Sequence, residues 1–378
     1  MRVIVAAAGT GGHINPGLAI ANKIKEMEPD SEIVFVGTDR GLENDLIPRA
    51  GYELKQIDAY GLERKISINN IKKLMKTFKS VGVMKKFIKE FKPDIVVGTG
   101  GYICVPVGFA AKKAKVPMVL HESNAFPGVA VKVLSKKADE IFVGFEDAKA
   151  RIPKAKKVMV SGTPTKIKKI DYTKADIEKQ KRDLGFKSNF DMPLVLVFGG
   201  SQGAKSINNA LINIIKQDLN KNYQIVWAVG KANYDGVVEE LKKSDIDVDN
   251  IENTKVLSYI YNMEEVMNTS DLVLSRSGAM TITEIAKLQK ASIFIPFPFA
   301  TENHQEFNAR AMEKIGAAKV ILDKDLDDKV LNDMIEELIK DKDKLKEMGK
   351  KASIVSKDDV EGIIYREIVE IIKNRKEK

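Results

Sequence analysis

The sequence MRVIVAAAGTGGHINPGLAIANKIKEM, residues 1–27, indicates the fold class of the chain. Val3 to Ala8 is predicted to be a short buried parallel strand, because apolar residues run without interruption up to a glycine. Gly9 to Pro16 is predicted to be a tight loop, and Gly17 to Met27 a helix with its apolar residues spaced for one face. Strand, glycine loop and helix in this order open a doubly wound parallel sheet.

The same scheme starts again at Leu194 to Phe198, followed by the loop GGSQGA at 199–204 and a helix at Ile207 to Ile215. We therefore predict an α/β protein of two doubly wound, Rossmann-like domains, 1–161 and 162–378, with ligand-binding strand ends on either side of one cleft. The last helix, about 360–375, could cap the second domain or cross back to the first. Further strands are predicted at 32–36, 94–97, 117–120, 140–143, 223–229, 254–257, 272–275, 292–295 and 318–321.

Composition limits the class of protein. The chain has 378 residues, 44% of them hydrophobic, which excludes a collagen-like or disordered chain. The single cysteine, Cys104, cannot form a disulfide within the chain, so nothing here requires an oxidising compartment. The apolar start is too short for a signal-peptide core, and no apolar stretch approaches the roughly 20 residues of a membrane span. We expect a cytoplasmic protein.

Almost all of the net charge of +9 lies in one segment. Residues 64–92 contain ten basic residues and one acid, Glu90, whereas the charges of the other 349 residues cancel. Apolar residues interleave with the lysines at helical spacing, which predicts a helix or helix pair lying on an anionic membrane surface. A solvated lysine-rich helix is the plain alternative. We expect no nucleic acid partner, because no RRM, KH or helix-turn-helix signature accompanies the charge.

The loop at Gly9 to Pro16 has the composition of an anion-binding nest, in which backbone N–H groups and a helix N-terminus face the ligand. It does not match the dinucleotide fingerprint G-x-G-x-x-G, because Ile14 stands at the third glycine. NAD is therefore not expected. Glycines that only permit a tight turn are the alternative.

The chain has three histidines, His13, His121 and His304, all predicted to lie directly after strands or in the following loops. An imidazole there can accept a proton near neutral pH, although each histidine alone could equally be structural. No pair has the spacing of metal ligands. The sequence therefore predicts neither a metal site nor a cofactor.

A second anion site is predicted at SRSGAMTITE, residues 275–284, which follows a strand and opens a helix. Ser277 is expected to cap this helix, with the N–H groups of Gly278 to Thr281 facing a diphosphate. Glu284 could accept hydrogen bonds from a ribose diol, or it could be an ordinary first-turn acid. The polar stretch Thr301 to Gln305 suits sugar hydroxyls.

Six motifs stand in order along nearly the whole chain and together closely resemble the MurG family, the UDP-N-acetylglucosamine:lipid I N-acetylglucosaminyltransferases. The resemblance implies a GT-B fold, with a first domain that binds lipid I and faces the membrane and a second domain that binds UDP-N-acetylglucosamine. It also implies a peripheral position on the cytoplasmic side of the cell membrane, where lipid II is made for peptidoglycan. The motifs are GTGGHINP (9–16), GTGGY (98–102), HESN (121–124), GGSQGA (199–204), SRSGAMTITE (275–284) and ENHQEFNA (302–309).

The resemblance further implies which residues bind the donor. Where the family usually has G-N-P-V-R, this chain has GTPTK at 162–166, and its lysine keeps the charge of the arginine without the bidentate fork. His304 stands where some relatives have glutamine. The acceptor-side loop is Gly98, Thr99, Gly100, Gly101 and Tyr102. The implied contacts to UDP-N-acetylglucosamine are Thr10, Gly11, Gly12 and Asn124 at the transferred sugar, Ser201, Ala279, Met280, Thr281, Ile282 and Thr283 at the phosphates, Ile260 and Met263 at the uracil, Glu284 at the ribose, Gln305 at the sugar hydroxyls, and Lys166 at the nucleotide.

We expect one inverting displacement, in which the muramoyl C4 hydroxyl of lipid I attacks the anomeric carbon of the donor and UDP leaves. His13 is the expected base, and the helix N-terminus at Gly278 to Thr281 would stabilise the departing diphosphate. Three other classes stay open from the sequence. They are a UDP-N-acetylglucosamine 2-epimerase, a glycosyltransferase that acts on diacylglycerol, and a non-catalytic module that binds membranes or nucleic acid.

Overall fold

A computed structural model describes residues 1–61, 68–200 and 203–377, without the side chains of residues 68, 69, 71 and 376. The chain divides into two compact units. The first comprises Met1–Lys166 and Lys357–Lys378, and the second Ile167–Ser356. The division thus falls between residues 166 and 167, against an expected joint between 161 and 162. Within the described ranges, no helix combines the length and the apolar character needed to cross a bilayer.

The described part of the first unit contains a seven-stranded, all-parallel sheet in the order β3-β2-β1-β4-β5-β6-β7. The chain builds outward from β1 in both directions, which makes the sheet doubly wound. Its strands are β1 (Arg2–Ala6), β2 (Glu32–Gly37), β3 (Glu53–Gln56), β4 (Ile95–Gly98), β5 (Met118–Glu122), β6 (Glu140–Val143) and β7 (Val158–Val160). Its helices are α1 (Gly11–Met27), α2 (Glu43–Arg49), α3 (Ile68–Phe91), α4 (Cys104–Lys113), α5 (Val129–Leu134), α6 (Glu146–Lys149) and α15 (Val360–Lys376).

The described part of the second unit repeats the plan with a six-stranded parallel sheet in the order β10-β9-β8-β11-β12-β13. The strands are β8 (Leu194–Phe198), β9 (Gln224–Ala228), β10 (Thr254–Leu257), β11 (Leu272–Ser275), β12 (Ala291–Phe294) and β13 (Ala318–Val320). The helices are α7 (Lys174–Asp183), α8 (Lys205–Lys216), α9 (Tyr234–Lys242), α10 (Met263–Thr269), α11 (Ala279–Lys287), α12 (His304–Lys314), α13 (Asp328–Ile339) and α14 (Lys342–Ala352). The predicted class, two doubly wound α/β domains, is confirmed.

Helix α1 differs from the prediction in its start. It begins at Gly11 rather than Gly17, and Pro16 lies inside it. Pro16 is the sixth residue of α1, where it removes the hydrogen bond to the carbonyl of Gly12 and crowds that carbonyl, yet the helix continues to Met27. Further along, a side chain at Gly17 would come within 3.4 Å of Thr99, Val5 and Phe35. The glycine therefore lets α1 lie close against the sheet.

The last helix, α15, packs on the first unit. Ile364 and Ile368 are fully buried in the core that α1 shares with the sheet. The hydroxyl of Tyr365 donates to Glu28, just beyond α1, at 3.1 Å. Of the two positions that the sequence allowed, the helix takes the one that crosses back.

Candidate active site

His13 lies in the first turn of α1, not in a loop before it. Thr10 is the extended N-cap residue, so the amides of Gly11 and Gly12 are first-turn donors. The Nδ1 atom of His13 lies 3.1 Å from the carbonyl oxygen of Ala8. Because a carbonyl only accepts, Nδ1 carries the hydrogen, and the neutral ring has its lone pair on Nε2. This is the tautomer that a base acting through Nε2 requires.

The loop after β4 packs against the His13 ring. Because β4 is the neighbour of β1, this loop and the start of α1 reach the same edge of the sheet. The hydroxyl of Thr99 donates to the carbonyl of His13 at 2.7 Å. Gly100 and Gly101 have φ of +111° and +79°, and a Cβ at Gly100 would lie 2.5 Å from Cδ2 of His13. Glycine is thus required here by conformation and by space, and the structure brings the predicted acceptor-side loop to His13.

Glu43 joins this group although no sequence signal singled it out, because an acid at the start of a short helix is common. Its side chain is fully buried, and its carboxylate accepts the N–H of Gly9 at 2.9 Å. The N–H and hydroxyl of Thr38 also donate to it, at 3.0 and 2.7 Å. Burial acts to raise the pKa of Glu43, but the hydrogen bonds from Gly9 and Thr38 outweigh it and lower the pKa. The N–H of Gly9, predicted to face a ligand anion, therefore serves a carboxylate of the protein.

His121 lies within β5, not in a loop after it, and is fully buried. Its Nε2 lies 3.1 Å from the carbonyl of Gly162, so Nε2 carries the hydrogen. Burial lowers the pKa of His121 to about 4, although the bond to Gly162 opposes the shift. The ring is neutral at physiological pH and ties β5 to the segment at residue 162. The structural alternative therefore applies to this histidine.

Asn124 follows β5 and is oriented by Glu122. One oxygen of Glu122 accepts the backbone and side-chain N–H groups of Asn124, at 2.9 and 3.0 Å. The other accepts the N–H of Gly128 at 2.8 Å. Because β5 lies next to β4, Asn124 is at the sheet edge that carries the His13 group.

In the second unit, Gly278 rather than Ser277 is the N-cap residue of α11. The prediction that Ser277 caps this helix is wrong, because its buried hydroxyl donates to the carbonyl of Gln305 at 2.8 Å. No side chain among the described residues caps α11. Its first-turn amides at Ala279, Met280 and Thr281 have no intrahelical acceptor and can serve a ligand anion.

The next turn of α11 is different. The N–H of Ile282 bonds to the carbonyl of Gly278 at 3.0 Å, and its side chain is fully buried. The hydroxyl of Thr283 donates to the carbonyl of Ala279 at 2.9 Å. These two predicted phosphate contacts are thus turned into the helix and the core. Glu284 is half-buried, and burial raises its pKa to about 7.

Gln305, the second residue of α12, bonds to the loop after β12. Its Oε1 accepts the N–H of Phe297, after β12, at 3.0 Å. This bond fixes the orientation of the Gln305 amide, so that its NH₂ group points away from the N–H of Phe297. His304, the first residue of α12, donates from Nδ1 to the carbonyl of Thr301 at 2.7 Å. Both residues therefore lie at the start of one helix, not in a loop.

The predicted uracil contacts stand beside an aromatic pair. Ile260 is buried, and Met263 begins α10. Tyr259 and Tyr261 meet edge to face, with 4.9 Å between ring centroids. The ammonium of Lys231, from the loop after β9, lies 5.3 and 5.5 Å from these rings. Sequence reasoning missed Lys231, because only the adjacency of β9 and β10 brings it to the tyrosines.

Two predicted contacts gain no structural support. Ser201 lies outside the described residues. Lys166 is exposed and is the last residue of the N-terminal part of the first unit. The neighbouring N–H of Thr165 donates to Glu361 of α15 at 3.0 Å.

Comparison with known proteins assigns the family. The N-terminal domain model of glycosyltransferase family 28 matches residues 3–143, and the C-terminal domain model matches 194–362. A relative from Acetivibrio thermocellus, named UDP-N-acetylglucosamine--N-acetylmuramyl-(pentapeptide) pyrophosphoryl-undecaprenol N-acetylglucosamine transferase, is 42% identical over 376 residues, 99% of each chain. The chain belongs to the MurG family. The resemblance seen in its motifs is confirmed.

Solved structures agree with membership of the MurG family. MurG of Acinetobacter baumannii has a TM-score of 0.77 at 28% identity, with 98% of this chain and 99% of that chain covered. The GT-B fold is confirmed. A UDP-GlcNAc 2-epimerase of Neisseria meningitidis has a TM-score of 0.66 at 15% identity, with 98% and 100% covered. That similarity shows a shared fold only.

Proposed function

We propose that the chain transfers N-acetylglucosamine from UDP-N-acetylglucosamine to the C4 hydroxyl of the muramoyl sugar of lipid I, giving lipid II. The observation that carries this proposal is the 42% identity, over 99% of both chains, to a relative named for that transfer. The reaction is a single displacement with inversion at the anomeric carbon, forming a β-1,4 linkage.

In the proposed reaction His13 is the base. Its Nε2 accepts the proton of the acceptor hydroxyl as that oxygen attacks, and Nδ1–H stays bonded to the carbonyl of Ala8. Gly100, Gly101 and Thr99 hold the ring and its backbone in place. A base held in this way loses little orientational freedom in the transition state.

In this proposal the second unit binds the donor. The uncapped amides of Ala279 to Thr281 and the positive end of α11 stabilise the negative charge that develops on the departing diphosphate. Glu284, one turn later, accepts the ribose hydroxyls. The NH₂ group of Gln305 donates to the sugar.

We also propose that α3 lies on an anionic membrane surface. Met75 and Phe78 are 57% and 66% exposed, although Met84 and Ile88 on the opposite face are buried. Exposed apolar side chains among lysines at positions 72, 76 and 79 suit a lipid–water interface. Arg64 and Lys65, which begin the predicted basic segment, lie outside the described residues.

The basic surface extends along the second half of α3 and past its end. A cavity of about 430 Å³ is lined by Lys85, Lys89 and Lys92. A second of about 270 Å³ is lined by basic residues that include Lys137 and Arg375, and both cavities include Val116. Adjacent cavities with lysine and arginine side chains in their lining suit the phosphate groups of lipid headgroups.

The test is mass analysis of the product made from UDP-N-acetylglucosamine with and without lipid I. We expect UDP release only with lipid I, and a product heavier by one N-acetylhexosamine. Epimerised sugar nucleotide without acceptor would instead indicate a 2-epimerase. Sugar transfer to diacylglycerol, and not to lipid I, would indicate a glycolipid glycosyltransferase.

A further inference from the structure

A single peptide group joins His13 to Glu43. Its carbonyl oxygen, on Ala8, accepts the Nδ1–H of His13 at 3.1 Å. Its N–H, on Gly9, donates to Oε2 of Glu43 at 2.9 Å. Because the peptide is planar and conjugated, carboxylate, amide and imidazole form one continuous chain of hydrogen bonds.

This series of hydrogen bonds affects the His13 ring by polarising the Ala8–Gly9 peptide. An N–H that donates to a carboxylate makes the carbonyl of the same peptide a stronger acceptor. A stronger acceptor at Nδ1–H favours the imidazolium that forms when Nε2 takes a proton. In serine hydrolases the carboxylate contacts the imidazole directly, whereas here its effect crosses one peptide.

The surroundings of Glu43 suit this role. The side chain is fully buried, and its carboxylate is held by Thr38 as well as by Gly9. A Cβ at Gly41 would lie 1.9 Å from Oε2, so the glycine leaves room only for the carboxylate. No cation of the described residues lies within ion-pair distance of Glu43, so its negative charge is not neutralised locally.

We propose that Glu43 is a positioning residue for the transfer. It fixes the Ala8–Gly9 peptide, orients the His13 ring through that peptide, and increases the ring's basicity. The inference rests on the proposed function, in which His13 is the base. The acceptor proton moves to Nε2, Nδ1–H stays on the ring, and Glu43 takes no proton.

The test compares Glu43→Gln with Thr38→Val. Glutamine keeps the shape of Glu43 but removes the charge and turns one of the two accepting oxygens into an NH₂ donor. The valine removes one hydrogen bond to the same carboxylate and leaves both the charge and the Gly9 contact. We expect E43Q to lower kcat about tenfold with KM for UDP-N-acetylglucosamine changed less than about twofold, and T38V to change kcat less than about twofold.

The pH profile separates this role from a merely structural one. Transfer needs neutral His13, so the acid limb of kcat/KM follows the protonation of that ring. Removing the charge at Glu43 disfavours the imidazolium, and the limb moves to lower pH in E43Q but not in T38V. Ala8, Gly100 and Gly101, which lie against the ring, carry no titratable side chain.

A direct readout is the ¹⁵N NMR titration of the three histidines, in which the signals missing from His13→Ala are assigned to His13. The midpoint of His13 should fall in E43Q and stay unchanged in T38V. An unchanged midpoint in folded E43Q overturns the inference. If H13A itself turns over normally, the base assignment fails, whereas an impaired H13A with an unshifted E43Q midpoint removes only the role of Glu43.

If E43Q does not fold, the native protein decides. The sequence has two Ala–Gly peptides, at 8–9 and 50–51, so carbonyl-labelled alanine with ¹⁵N-glycine gives two selected signals. The Ala8–Gly9 signal should titrate with the midpoint of the His13 ring, and the Ala50–Gly51 signal should not. An Ala8–Gly9 signal that ignores the His13 titration overturns the inference.

Discussion

His13 and His121 carry the same side chain in opposite settings. His121 is fully buried in β5 and its pKa is lowered to about 4 by burial, so it stays neutral and ties two segments together. His13 stands in the first turn of α1 with Nδ1–H bonded to Ala8, which leaves Nε2 as the basic atom. Position in the fold, and not residue type, separates a structural histidine from a candidate base.

Replacing His13 by alanine should therefore affect chemistry more than donor binding. We expect kcat to fall by about 10²- to 10⁴-fold, with KM for UDP-N-acetylglucosamine changed little. Steady-state kinetics with lipid I measure both. Lys25→Ala, an exposed position on the same helix, is the matched control. Normal turnover in H13A would remove this residue from the role of base.

Glu284 predicts a pH dependence of donor binding. Burial raises the pKa of Glu284 to about 7, and the ionised carboxylate accepts the two hydroxyls of a ribose diol more strongly than the protonated form does. Donor binding should therefore release a proton at a pH near or below the pKa of Glu284. The affinity for UDP-N-acetylglucosamine should rise as the pH increases from 6 to 8. Calorimetry at both pH values, in buffers of different ionisation enthalpy, measures this effect. Glu284→Gln should bind more weakly and without the pH dependence. A dependence retained in E284Q would assign it to another group.

Helix α3 has one buried face and one exposed face. Met84 and Ile88 are buried in the core, whereas Met75 and Phe78 are exposed among lysines. A helix that only covered the sheet would gain nothing from an exposed phenylalanine, because apolar surface in water is unfavourable. We propose that this outward face contacts an anionic lipid surface, because such a surface accommodates both cationic and apolar side chains.

Neutralising the outward lysines tests that face. Binding to phosphatidylglycerol-containing vesicles should weaken when glutamine replaces Lys72, Lys73, Lys76 and Lys79. The loss should be largest at low salt, because at high salt the ions already screen the attraction between lysines and lipids. Cosedimentation measures the effect. The matched control makes the same charge change at exposed lysines of the second unit and should bind normally. Equal binding by both variants would argue against docking through α3. The control positions are Lys324, Lys329, Lys342 and Lys346.

The core of the first unit includes residues of α15, which are distant in sequence from the rest of that unit. Ile364 and Ile368 of α15 are fully buried beside α1. The side chain of Arg375 donates to the carbonyl of Lys115 at 2.6 Å. The first unit is therefore complete only when the last helix of the chain is in place.

Ile368→Ala should accordingly destabilise the first unit. We expect a loss of about 2–5 kcal/mol in its unfolding free energy, from lost burial and the cavity left behind. Denaturant unfolding measures this, with donor binding by the second unit retained. Lys373→Ala, exposed on the same helix, should change stability by less than about 0.5 kcal/mol. A loss of donor binding in I368A without a stability change would contradict this view.

The local pattern of residues was enough to predict most of the strands and helices. The apolar runs at 3–8 and 194–198, each followed by glycines and a helix, predicted the two sheets, because burial and turn conformation depend on neighbouring residues. The start of α1 was misplaced, since glycine and proline usually mark a loop. Most of the candidate site residues came instead from the resemblance of the motifs to the MurG family, and their roles stay predictions.

The amino-acid pattern was thus enough to predict the two doubly wound domains and the residues at their strand ends. The folded structure was needed to show that Glu43 accepts the N–H of Gly9, 34 residues away, that Ser277 donates to the carbonyl of Gln305, and that α15 packs on the first unit. Such contacts join residues distant along the chain. They depend on strand order and on which surfaces pack together, and no local pattern of residues encodes either.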